Sequence, residues 1–123
     1  MKILLINPPY TNFGGIRASG GHMLPLGLGY LAAYLRERIP CTINIFDIEI
    51  LGYEYAQIRE VIVKEKPDIV GFTAPTPTMK YVYKITEMIK VINPRCYIVA
   101  GGIHPILAAQ VQIGHIHPAD RAD

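Results

Sequence analysis

Three short runs of the chain are apolar without polar alternation: residues 2–7, 69–72 and 96–100. Such runs predict strands covered on both faces, as in a parallel sheet. Residues 42–47 differ, because Thr42 and Asn44 alternate with Ile43 and Ile45. That alternation predicts a strand with one less protected face, at a sheet edge. Between the strands the apolar period lengthens to that of a helix. Residues 25–38 set Leu28, Leu31 and Leu35 on one stripe, with Arg36 and Glu37 outside it. Residues 53–64 turn Tyr55, Ile58, Val61 and Ile62 inward, and residues 77–92 carry the cleanest repeat, through Val82, Ile85, Met88, Ile89 and Ile92. Pro40, Pro67 and Asn93-Pro94 end these helices in turn. Residues 105–113 fit a short helix and 114–123 a tail.

The order is β-α-β-α-β-α-β plus a remnant, which predicts a parallel sheet with right-handed crossovers. Because the second strand reads as an edge, the expected fold is a flavodoxin-like (Rossmann-like) three-layer α/β sandwich with strand order 2-1-3-4. Its switch point lies between the first and third strands, where open α/β sheets bind ligands. The organising stretch is residues 67–78. Its buried strand ends in small hydroxyl residues and prolines, then opens a helix that Thr76 can cap and Pro77 can start. The rim of the switch point gathers Pro8, Pro9 and Tyr10 on one side and Thr73, Ala74, Thr76 and Thr78 on the other. Gly101, Gly102 and His104 follow on the neighbouring strand. Paired glycines let a ligand approach backbone closely.

Composition narrows the function. A length of 123 residues sets one domain, and a hydrophobic content of 50% argues against disorder. The net charge of +2 is spread along helices, so neither nucleic acid nor an anionic membrane is an expected partner. The sequence opens without a signal-peptide pattern, and no apolar run approaches membrane-spanning length. Cys41 and Cys96 are far apart within apolar runs, which suits reduced thiols in a cytoplasmic protein. Residues 10–24 form a glycine-rich loop around Arg17, without the G-x-x-x-x-G-K-S/T or G-x-G-x-x-G phosphate patterns.

Four segments carry a family resemblance. They are Met1-Lys2-Ile3-Leu4-Leu5-Ile6-Asn7-Pro8-Pro9-Tyr10, then residues 24–36 from Leu24-Pro25-Leu26-Gly27 to Leu35-Arg36, then Pro67-Asp68-Ile69-Val70-Gly71-Phe72-Thr73-Ala74, then Val99-Ala100-Gly101-Gly102-Ile103-His104-Pro105. In order and at this spacing they resemble the amino-terminal cobalamin-binding domain of B12-dependent radical SAM enzymes, a group that includes relatives of the anaerobic magnesium-protoporphyrin ester cyclase. The resemblance spans residues 1–105. It implies that the cofactor's nucleotide tail enters between strand ends, with the corrin ring above.

The chain departs from that pattern in three ways. It has two cysteines and no Cys-x-x-x-Cys-x-x-Cys run, so it cannot hold the iron–sulfur cluster by thiolates and no radical chemistry is expected from it alone. The first loop lacks the Asp-x-His-x-x-Gly of cobalamin mutases, so cobalamin would bind without a protein His on cobalt from that loop. A fifth strand and last helix are not evident. The chain therefore reads as a shortened domain, residues 1–105, followed by a short helix or tail, residues 106–123. One face of the fourth strand is then left without a helix. The expectation is that residues from 106 onward fold over it, or that two chains pair there as a homodimer.

Other features have ordinary readings. His115 and His117, with His104, could ligate a metal, but a solvated tail explains them without a second shell. Asp47 stands where dinucleotide folds place a ribose-binding acid, yet without the glycine fingerprint it reads as a strand-end carboxylate. Two function classes remain. One is a cobalamin-binding module serving a separate radical SAM subunit. The other is a degenerate, ligand-free interaction domain that dimerises. A flavin- or nucleotide-binding flavodoxin-like protein is a third reading.

Overall fold

The computed structural model describes residues 1–9, 25–74 and 78–102. Four strands, β1 (Lys2–Asn7), β2 (Thr42–Asp47), β3 (Ile69–Thr73) and β4 (Tyr97–Gly101), form one sheet in the order β2-β1-β3-β4. Every neighbouring pair is parallel. Four helices lie between them: α1 (Leu26–Arg38), α2 (Ile48–Leu51), α3 (Tyr55–Glu65) and α4 (Met79–Ile92). This is the expected three-layer flavodoxin-like fold, with β2 at the edge. One element is additional. Asp47 ends β2 and accepts the Ile50 N–H at 3.4 Å, capping the single turn of α2 before Gly52 reverses the chain at φ 65°.

The two faces of the sheet are unequal. On the first, Leu4, Ile6, Val70 and Phe72 pack against Ile58 and Ile62 of α3 and Val82, Ile85 and Ile89 of α4. On the second, Ile3, Leu5 and Ile43 meet Leu28 and Ala32 of α1. Leu31 was expected inward but is 44% exposed, and Ala32 takes its place. The reason is Arg36, whose guanidinium donates to the Ile43 carbonyl at 2.7 Å and so fixes the rotation of α1. The third strand also departs from expectation. Val70 and Phe72 are buried, whereas Ile69, Gly71 and Thr73 on the second face are half-exposed, because α1 is packed on β1 and β2. The fourth strand, apolar throughout, leaves Tyr97 73% and Val99 58% exposed on that same face.

The amino-terminal end of the sheet is tied by side chains. Lys2 Nζ lies 2.8 Å from Glu65 Oε2 at the end of α3, and Asn44 Nδ2 donates to the same oxygen at 3.3 Å. The Lys2 hydrogen bond, with help from Asn44, holds the Glu65 carboxyl below the usual carboxylate range. A depressed folded pKa stabilises the fold above the unfolded pKa and stops doing so as pH falls through the folded value. The pair is solvent-screened, so Lys2→Met should cost no more than about 1 kcal/mol at neutral pH. Urea melts should show that cost shrinking as pH falls through the lowered folded pKa of Glu65.

Candidate functional site

The carboxyl ends of the strands finish almost level. Asn7 pairs in register with Asp47 on β2, Thr73 pairs with Gly101 on β4, and the β1–β3 ladder runs to Ile6 opposite Phe72. Asn7 and Thr73 therefore stand side by side at the centre of the rim. The chain leaves β1 for α1 on one face and leaves β3 for α4 on the other. The gap between β1 and β3 is thus the switch point of the sheet, where helices on the two faces diverge and leave strand ends accessible.

Each rim residue has a defined setting. Asn7 is 6% exposed and donates from Nδ2 to Asp47 Oδ1 at 3.0 Å, which ties β1 to β2 and closes that side. Pro8 and Pro9 are buried beyond it. Thr73 is half-buried, and Ala74 is fully buried, with its N–H donating to the Gly101 carbonyl at 2.8 Å. Thr78 is fully buried as the N-cap residue of α4. Tyr10, Thr76 and His104 lie outside the described residues, as do Pro77, His115 and His117.

The two glycines differ. Gly101 is exposed, and a Cβ built on it would meet nothing closer than the Phe72 carbonyl at 4.0 Å. Gly102 has φ 104°, and a Cβ there would stand 3.2 Å from Ala74 N and 3.7 Å from Thr73 Oγ1. Gly102 is therefore glycine because the end of β3 already fills the space beside it and its backbone is left-handed. Gly101 keeps the approach to the rim open. Asn7 is the residue that pattern reading missed. Its signal is a polar side chain closing an otherwise apolar strand, in line with Asp47.

The rim offers an amide, a hydroxyl and backbone groups, with Asp47 as its carboxylate. No group of three or more His, Cys, Asp or Glu able to hold a metal occurs among the described residues. Such a surface can hold and orient a large ligand by hydrogen bonds and close backbone contact. A separate apolar depression of about 310 Å³ lies at the opposite end of the sheet, between Ile62 and Lys66 of the α3 end and Ile89 and Asn93 of the α4 end. It sits away from the switch point, where open α/β sheets bind ligands.

The B12 binding domain family model matches residues 14–119. The chain is 39% identical over 104 residues to an uncharacterized methyltransferase of Pyrococcus horikoshii, covering 85% of this chain and 22% of that protein. It is 36% identical over 104 residues to the anaerobic magnesium-protoporphyrin IX monomethyl ester cyclase of Rubrivivax gelatinosus, covering 85% of this chain and 18% of that enzyme. The chain thus spans about a fifth of the length of these curated relatives. No solved structure matches it.

The contrast between the glycines is measurable. Gly102→Ala should destabilise the fold by about 1–3 kcal/mol, through its positive φ and the crowding at Ala74. Gly101→Ala should stay within about 0.5 kcal/mol of the parent in the same denaturant titration.

Proposed function

The chain belongs to the B12-binding domain family, and we propose that it binds cobalamin at the switch-point rim. The observation that carries this reading is the open approach at Gly101, beside the Asn7 and Thr73 pair, on a fold of that family. The residues fit a cofactor with a flat ring and a nucleotide tail. Thr73 presents a hydroxyl, Gly101 exposes backbone, and the Asn7–Asp47 bond closes the neighbouring gap between β1 and β2. The cofactor's nucleotide tail would lie between the ends of β1 and β3, touching Thr73 and Gly101, with the first loop from Pro8 and Pro9 to Tyr10 on its other side. Thr76 and His104 complete the set read at that rim from the sequence, whereas Ala74 and Thr78 are fully buried and Gly102 is crowded by Ala74, so these three shape the rim and do not touch the ligand.

Bound cobalamin would supply a cobalt centre able to carry an alkyl group. This chain's own residues would bind and orient it, without a His from the first loop on the metal. The Rubrivivax relative is a magnesium-protoporphyrin ester cyclase by name, and this chain covers under a quarter of either relative. The catalytic portion is therefore assigned to a separate radical SAM subunit or segment, with this chain presenting the cofactor to it. A ligand-free interaction domain, and a flavin- or nucleotide-binding protein, are the competing readings.

Titration with hydroxocobalamin separates them. The expected result is a saturable change in the visible spectrum at micromolar ligand. Gly101→Trp should abolish it while leaving the circular dichroism spectrum intact, since a Cβ there would meet nothing closer than the Phe72 carbonyl at 4.0 Å. Gly102→Trp is a poor probe, because it would strain the fold whether or not a ligand binds. Absence of any spectral change at high micromolar ligand would remove the cobalamin reading, and a change with flavin instead would favour the third.

A further inference from the structure

Alternation along the strands puts four rim residues in one row on the second face of the sheet. Ile3 and Leu5 of β1 and Ile43 of β2 pack on that face, so Asn7 and Asp47, further along the same strands, point the same way. Val70 and Phe72 of β3 belong to the first face, which leaves Thr73 on the second. Gly101 pairs with Thr73 and Asp47 pairs with Asn7. The row therefore runs Asp47, Asn7, Thr73, Gly101 across β2, β1, β3 and β4. Asn7 stands in its middle, on the β1 side of the switch point, and is 6% exposed.

A buried amide is costly unless its donors and its acceptor are used. The donor side of Asn7 is used, because Nδ2 gives to Asp47 Oδ1 at 3.0 Å. A carboxylate only accepts, so the amide NH2 must face Asp47 and the group cannot turn over. The same Asp47 oxygen takes the Ile50 N–H at 3.4 Å, which holds the carboxylate in place at the start of α2. The carbonyl arm of an amide diverges from its NH2 arm. Asn7 Oδ1 is thus turned from β2 and toward the β3 side, where Thr73 stands. Among the described residues no donor reaches Oδ1. Nor is any side-chain oxygen there both sealed from solvent and without a partner. Oδ1 is therefore an accessible acceptor on an otherwise buried residue.

We infer that Asn7 Oδ1 touches the bound cofactor, accepting a hydrogen bond from a ribose hydroxyl of its nucleotide tail, and that Asp47 is the positioning residue that aims it. This rests on the cobalamin reading above. Of the parts of the tail, the phosphodiester and the benzimidazole carry no donor, and the ribose does. An amide held the other way round would present N–H at the same place and favour an acceptor instead. Asp47 excludes that state, so the Asn7–Asp47 bond sets which kind of group the switch point accepts. Asn7 and Thr73 then meet the tail from its two sides.

Visible-spectrum titrations of the full 123-residue chain with two ligands test it. Hydroxocobalamin carries the whole tail. Diaquacobinamide keeps the corrin and its carboxamides but has no ribose. Asn7→Leu should weaken hydroxocobalamin about tenfold, the size of one lost hydrogen bond, and leave diaquacobinamide within about twofold. Asp47→Asn keeps the side-chain shape and the cap of α2 but lets both amides turn over, and should weaken hydroxocobalamin about threefold. The double variant should bind no more weakly than Asn7→Leu, because Asp47 acts through Asn7. The two ligands are compared within each variant, so the result does not depend on equal stability. Equal loss of both ligands in either variant, or full hydroxocobalamin affinity in Asn7→Leu, would overturn the inference. Additive losses in the double variant would overturn the role given to Asp47. A parent chain that binds neither ligand would instead remove the cobalamin reading itself.

Discussion

The molecule depends on the parallel pairing of β1 with β3, and one residue sets its level. Asp68, just before β3, accepts the Lys2 backbone N–H on its carboxylate at 2.7 Å. It returns its own N–H to the Lys2 carbonyl at 2.8 Å. From that reciprocal pair the ladder runs Ile3 to Ile69 up to Ile6 and Phe72. A slip of one residue would turn every side chain of one strand to the other face. Ile6 and Phe72, both buried on the face of α3 and α4, could not then share a core. The same register brings Asn7 and Thr73 level at the far end. The site is therefore a consequence of where the ladder begins.

The sheet treats its two margins differently. At the β2 margin, the Arg36 guanidinium occupies the Ile43 carbonyl, and Asn44 is tethered to Glu65. Charged and polar side chains of this kind discourage another strand or sheet from adding there. At the β4 margin the side chains are Tyr97, Ile98, Val99 and Ala100, without charge. Three of the four are exposed. Among the described residues, the β2 margin is polar and the β4 half of the second face is apolar.

Most of the fold was legible because local chemistry and tertiary structure agree. The runs at 2–7 and 42–47 coincide with β1 and β2, and the period of α4 places Val82, Ile85 and Ile89 in the core. Strand order followed from the alternation in β2, since a half-polar strand belongs at an edge. Periodicity failed where a long-range contact decided. Leu31 and Ala32 fit the stripe of α1 almost equally well, and the Arg36 bond across to Ile43 selects Ala32. The apolar runs of β3 and β4 promised cover on both faces, but composition records only that a surface is suited to burial. It does not record which body supplies the cover. At the site, the glycine pair was legible as special, yet the separate reasons for Gly101 and Gly102 lie in φ and in the position of Ala74, neither of which a sequence displays.

Among the described residues, the rim holds few groups suited to acid–base or nucleophilic chemistry. Acid–base catalysis needs a group free to exchange a proton with a substrate. Among the described rim residues the carboxylate is Asp47, which already accepts from Asn7 Nδ2 and from the Ile50 N–H. A Thr hydroxyl such as that of Thr73 becomes a useful nucleophile only beside a base, and Asn7, its neighbour across the ladder, is an amide without basic character. Among the described residues this leaves a level hydrogen-bonding edge with one carboxylate, already bonded, and one exposed glycine. Such an edge suits the cobalamin contact proposed above, through shape and backbone contact. A domain of this kind is useful when the reaction it supports takes place on the ligand's far side, against another protein surface.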